Sequence, residues 1–211
     1  MASIAIDIDD TLYSFGDLAR DTWSKLAIES GDKTLLRGAY CAWPEWRSPA
    51  DVIDLSQWLE IIDRCHDNDA ITTQEPYLGA YEGMWDIAEE FDSILYISTR
   101  KPEATEATAT WLFDFCGFPP GDLICTHDSK IPYVRECRYI VDDRPKTLVQ
   151  FAYDADWALL NPDTPRLGFG LLKEYNRALT DVPGIQLAPS WRLLIHTMMD
   201  KGALSSADLR Y

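Results

Sequence analysis

The chain has 211 residues, enough for one α/β domain with a modest insertion, and its 46% apolar content can fill a core, which excludes a disordered chain. Its net charge of −16 disfavours a long nucleic acid, which is held by basic grooves, but leaves room for a small anionic substrate in a locally cationic cleft. No apolar run is long enough to cross a bilayer, no basic-then-apolar leader follows Met1, and the five cysteines are odd in number with no Cys-x-x-Cys spacing, so the expectation is a cytoplasmic protein with reduced thiols and no membrane partner.

The first element is the run Ile4-Ala5-Ile6, small and β-branched, which reads as a buried parallel strand. It breaks off in Asp7-Ile8-Asp9-Asp10-Thr11. Ser14 then opens a helix predicted to run to about residue 36, followed by an aromatic, turn-rich stretch holding Tyr40, Trp43 and Trp46. Ser48-Pro49 predicts another helix start, with Val52, Leu55, Trp58, Leu59 and Ile62 as its apolar stripe. Pro76-Tyr77-Leu78-Gly79-Ala80 marks a return, and a helix over about 81–91 follows. The predicted domains are therefore a core made of residues 1–13 and 77–211 and a helical cap over 14–76.

Strands are predicted over 93–98, 122–126, 138–141 and 157–160, with helices beginning at Pro102, ended by Gly117, and at Pro145. Amphipathic helices near 171–179 and 191–199 complete the chain. Alternating strands and helices predict a Rossmann-like α/β core of three layers around a parallel sheet.

Four predicted strand ends carry polar groups: Asp7, Asp9 and Thr11; Thr99 and Arg100; Lys130; and Asp142-Asp143. Parallel strands bring their carboxyl ends to one edge, where an open α/β sheet binds ligands. A carboxylate nucleophile, a second carboxyl for proton transfer, a hydroxyl and an ammonium for phosphoryl oxygens, and a remote carboxylate for a hard divalent cation together suit phosphoryl transfer. Singly, each group has a plainer reading. Asp7 and Asp9 suit a strand-end turn, Asp142 and Asp143 a helix cap before Pro145, Thr99 a strand residue, and Lys130, Arg100 and Arg144 solvated surface cations.

The ordered set resembles the haloacid dehalogenase-like hydrolases, and the resemblance covers roughly residues 3–160. It implies that Asp7 is a nucleophile forming an aspartyl-phosphate and that Asp9 is the general acid and base. Mg²⁺ would be held by Asp7, the backbone of Asp9, and Asp143, with Asp142 and Thr11 behind them. Thr99 and Lys130 would bind phosphate, and Arg100 and Arg144, which flank the site, are further candidates to touch it. A narrower likeness is to the 5′(3′)-deoxyribonucleotidases, carried by Pro76–Ala80, by Thr99-Arg100-Lys101-Pro102 and by the stretch from Thr126 to Pro145. It implies a nucleoside monophosphate as substrate, with Trp43, Trp46, Tyr40 and Phe15 as candidates to stack on its base. An aromatic cluster in a helical cap also serves as that cap's own core. Asp10-Thr11 departs from the Gly-Val often found in that family, and Arg100 from a serine. Other small phosphate esters, a polynucleotide 3′ end and a non-catalytic nucleotide-binding module remain as alternatives.

Overall fold

Short apolar runs that end in polar residues set the architecture. The computed structural model describes residues 3–31 and 53–205. Six strands form one parallel sheet: β1 (Ser3–Asp7), β2 (Ser93–Ser98), β3 (Asp122–Cys125), β4 (Tyr139–Val141), β5 (Leu167–Leu171) and β6 (Ile185–Ala188), in the order β3-β2-β1-β4-β5-β6. β1 lies between β2 and β4, in a register that sets Asp7 beside Ile97 and Ile6 beside Val141. The chain builds outward in opposite directions from this point, and such a switch opens a crevice at the carboxyl ends of the strands.

Between β1 and β2 the described residues form the helices α1 (Phe15–Ser30), α2 (Leu55–Cys65) and α3 (Asn68–Thr72). Ser14 caps α1 by accepting the Asp17 amide, and Gly31, at φ +71°, closes it. Asp54 and Gln57 form a reciprocal capping box at the start of α2. The predicted Ser48-Pro49 helix start lies outside the described residues, as do Tyr40, Trp43 and Trp46.

α4 (Ala80–Glu90) leads into β2. After β2 come a 3₁₀ turn (Pro102–Ala104), α5 (Thr105–Ala109) and a π-helical segment (Thr110–Phe115) that ends just before Gly117. α6 (Pro145–Ala152) and α7 (Ala155–Leu160) follow β4, and α8 (Trp191–Asp200) follows β6. Successive residues of a strand face opposite ways. Ile4 and Ile6 therefore join Met84, Ile87, Leu194 and Met198 on one face, and Ala5 joins Leu148 and Phe151 on the other. Both faces are covered, which gives the three-layered α/β class expected from the sequence.

The last third of the chain differs from the sequence reading. Residues 157–160 are helical, because the Asp154 carboxylate accepts the amides of Asp156 and Trp157 and nucleates α7. Leu159 and Leu160 are 81% and 77% exposed, which no buried strand would allow. The fifth strand is instead Leu-Gly-Phe-Gly-Leu, whose second glycine lets it run against Asp142: a Cβ on Gly170 would sit 2.3 Å from the Asp142 carbonyl oxygen. The predicted helix over 171–179 is the end of β5 followed by a 3₁₀ turn (Glu174–Leu179), and β6 is an additional strand.

Among the described residues no helix is long and apolar enough to cross a membrane. Cys65, Cys116, Cys125 and Cys137 are free thiols.

Candidate active site

The β1 strand delivers Asp7 to the sheet edge, and the chain then turns sharply. Thr11 and Leu12 donate their amides to the Ile8 carbonyl, at 3.3 and 2.9 Å. Asp10 takes φ +56°, a left-handed conformation that aspartate tolerates better than most residues. Its carboxylate accepts the Gly16 amide at 3.1 Å and so ties the turn to the start of α1.

Asp7, Asp142 and Asp143 are all buried and each offers an oxygen within 4.8 Å of the others. Lys130, 3% exposed, reaches between them. Its Nζ donates to Asp7 Oδ1 and, at 2.8 Å, to Asp142 Oδ2. Thr11 Oγ1 donates to Asp7 Oδ2 at 3.3 Å, and the Arg144 amide donates to Asp142 Oδ1 at 2.8 Å. The Tyr175 hydroxyl donates to Asp143 Oδ2, while the Asn176 side chain donates to the Asp143 carbonyl at 3.0 Å.

One ammonium does not neutralise three carboxylates. Burial pushes the Asp7 carboxyl up to about 6; Lys130 opposes the shift, and Asp142 and Asp9 add to it. Burial, together with Asp7, Asp142 and Asp10, drives Asp143 well above the ordinary carboxylate range. Burial would lower Lys130, but Asp142 and Asp7 overcome it and keep the ammonium charged.

A cleft of about 450 Å³ opens above this floor. Among the described residues, Asp7, Asp9, Asp10, Asp63, Asp128 and Asp143 line it against Lys101, Lys130, Arg144 and Lys146, so there carboxylates outnumber the lysines and arginines by two. The buried, oxygen-only donor set and this deficit of positive charge both fit a hard divalent cation of the Mg²⁺ kind. Asp143 lines the cleft, whereas Asp142 does not. Thr99 lines it too, with its Oγ1 accepting from Arg144 at 3.3 Å. Phe15, Leu59 and Ile62, from α1 and α2, supply an apolar wall beside His66, whose ring lies 5.4 Å from that of Phe15.

Asp9 occupies a different setting. Its two oxygens receive the Arg100 guanidinium through Nε at 3.2 Å to each and Nη2 at 2.8 Å to Oδ1. Tyr13 donates to Oδ1 at 2.7 Å and Ser98 to Oδ2 at 2.9 Å. Burial would raise the Asp9 carboxyl, but Arg100 and, more weakly, His66 and the hydrogen bonds hold it well below the usual range. Arg100 itself is wholly buried and does not line the cleft. Of the residues singled out in the sequence, then, Asp7, Asp9, Thr11, Thr99, Lys130, Asp142 and Asp143 converge, whereas Arg100 lies behind Asp9 and away from the cleft. Trp43 and Trp46 fall outside the described residues.

The C-terminal segment, for which the sequence offers only two amphipathic helices, supports this edge. Besides Tyr175 and Asn176, Trp191 Nε1 donates to the Thr11 carbonyl at 2.9 Å, and Lys173 Nζ donates to the Tyr77 hydroxyl at 2.6 Å.

No family model and no curated protein sequence matches the chain. Solved structures do. A HAD family hydrolase from Deinococcus radiodurans, with bound phosphate and sodium, superposes with a TM-score of 0.60 at 13% identity, covering 98% of this chain and 99% of that one. A haloacid dehalogenase-like hydrolase from Streptococcus pneumoniae gives 0.59 at 12% identity, over 93% and 98%. CbbY from Rhodobacter sphaeroides, in complex with xylulose-1,5-bisphosphate, gives 0.54 at 13% identity, over 90% and 95%. At these identities the likeness is one of fold, and the fold is that of the haloacid dehalogenase-like hydrolases.

Proposed function

We propose that this chain is a Mg²⁺-dependent phosphatase that hydrolyses a small phosphate monoester through a phosphorylated Asp7, with a nucleoside monophosphate as the favoured substrate. The observation that carries the reading is the buried set of Asp7, Asp142, Asp143 and Lys130 at the floor of a 450 Å³ cleft. Clefts of this size are typical of small-ligand sites.

The chain's own residues supply most of the chemistry. Lys130 and Thr11 orient the Asp7 carboxylate, whose oxygen attacks phosphorus as the ester P–O bond breaks. The electron pair leaves with the ester oxygen, which takes a proton relayed through Asp9 from the P–OH of a monoanionic ester, because Arg100 holds Asp9 ionised before substrate enters. Water then attacks phosphorus, the bond to Asp7 breaks, and Asp9 accepts the water's proton. Thr99 and Lys130 hold phosphoryl oxygens. Asp7, the Asp9 backbone carbonyl and Asp143 would hold Mg²⁺, which when bound supplies the positive charge that lets an anionic phosphate ester enter a carboxylate-lined cleft. Residues 14–76 act as a cap, and Phe15, Leu59, Ile62 and His66 offer a surface suited to a ring. Trp43 and Trp46 are retained as candidates to stack on a base, and the reading places the protein in the cytoplasm.

A sugar phosphate is the second reading, favoured by the bisphosphate bound to CbbY. A phosphate-release screen over nucleotides and sugar phosphates, with Mg²⁺ and with EDTA, separates the two. Release from no ester under either condition would contradict the phosphatase reading itself.

A further inference from the structure

Arg100 is costly where it stands. It is wholly buried, and a guanidinium taken out of water is destabilising unless its partners replace the lost hydration. Its N–H groups are spent on a small set of acceptors. Nε and Nη2 fork onto Asp9, Nη2 also reaches the Tyr13 hydroxyl at 2.9 Å, and Nη1 donates to Thr108 Oγ1 at 2.9 Å. Its own amide donates to Ser98 Oγ at 3.2 Å, and Ser98 Oγ donates on to Asp9. Tyr13, which donates to Asp9, is packed edge-on against Trp111 of the π-helical segment, with ring centroids 5.2 Å apart. Trp111 in turn donates to the Gln74 carbonyl at 2.8 Å.

The two members of this ion pair are not equivalent. Asp9 lines the cleft and its side chain is 19% exposed, while Arg100 is sealed behind it. A bidentate guanidinium fixes the plane of a carboxylate, which a single donor cannot do. We propose that Arg100 is a positioning residue. Its fork, completed by Tyr13 and Ser98, sets the plane of the ionised Asp9 carboxylate, across which the P–OH proton of a monoanionic ester passes to the leaving oxygen and which later takes a proton from water. This rests on the phosphatase reading. It assigns Arg100 to the orientation of Asp9 and away from the phosphate contact that its place in the sequence suggests.

The test compares two esters. An alkyl phosphate, the best substrate of the screen above, leaves as an alkoxide and needs the proton. p-Nitrophenyl phosphate leaves as a stabilised phenolate and needs it far less. General acid catalysis is worth about 10²–10⁴-fold, so Arg100→Lys, which keeps the charge and loses the fork, is expected to lower kcat on the alkyl ester by roughly 100-fold. On the aryl ester the loss should stay under about tenfold, with KM on both nearly unchanged. Added guanidinium should restore part of the alkyl-ester rate to Arg100→Ala. Tyr13→Phe keeps the fork and drops one donor, so it should show the same selective loss on a smaller scale; it serves also if the Arg100 variants do not fold. An equal fall on both esters, or a raised KM at unchanged kcat, overturns the positioning role while leaving the phosphatase reading intact. A wild type that releases phosphate from neither ester overturns both.

Discussion

Asp7 and Asp9 are the same residue type, two positions apart on one turn, yet they sit in opposite electrostatic settings. The Asp7 region crowds three carboxylates around a single lysine and leaves charge uncompensated. The Asp9 region gives one carboxylate a guanidinium, a phenol and a serine hydroxyl. Burial acts on both, and it wins at Asp7, whose carboxyl rises, and loses at Asp9, whose carboxyl falls. A region short of positive charge is suited to recruit a cation and a phosphate. A region already satisfied is suited to hold one geometry.

The largest effect expected from breaking this contrast is on turnover. Asp7→Asn removes the proposed nucleophile and should lower kcat on the order of 10⁴-fold or more. It also relieves repulsion with Asp142 and Asp143, so its thermal midpoint should match or exceed that of the wild type; a circular-dichroism melt beside the assay checks both. Lys130→Met leaves Asp7 and Asp142 buried without their counter-ion. Removing one partner of a buried pair costs about 3–5 kcal/mol, which urea denaturation would read directly.

Mg²⁺ should act on the Asp7 side only. At a hundredfold excess over its dissociation constant it adds about 2.7 kcal/mol to wild-type stability. Asp143→Asn should abolish that gain, whereas Tyr13→Phe should keep it. A smaller loss, about 1–2 kcal/mol, is expected for Trp191→Phe, which removes the indole donor to the Thr11 carbonyl and some packing volume.

The smallest effect concerns His66, which lines the same cleft. Burial lowers its imidazole below the ordinary 6.5, the Asp9 carboxylate opposes this, and Arg100 adds to it. The unfolded chain therefore takes up a proton near pH 6.5 while the folded chain resists it. The contribution of His66 to stability is complete above that pH and is lost as the pH falls below it. Thermal melts of His66→Phe should decline less than those of the wild type between pH 6.5 and 5.

The floor of the site was legible because its parts stand at the ends of apolar runs. Ile4–Ile6, the stretch before Thr99 and Tyr139–Val141 each stop in a polar residue, and parallel pairing does the rest. The register that sets Asp7 beside Ile97 also carries Asp9 toward Arg100, but no local pattern announces that fork. β5 was hidden because Gly168 and Gly170 interrupt its apolar run, although close approach to Asp142 is what demands the second. Residues 157–160 misled because a short apolar run has no decisive period, and Asp154 decided it as a cap. Trp191 and Thr11 meet across 180 positions, a contact that composition and spacing do not encode.

The most direct measurement is capture of the phosphoenzyme. Wild type mixed with its best ³²P-labelled phosphate ester and Mg²⁺, quenched in acid during turnover and digested, should carry label on the peptide containing Asp7. Asp7→Asn should carry none and release no phosphate. Phosphate release without that label, or activity retained in Asp7→Asn, would contradict the account.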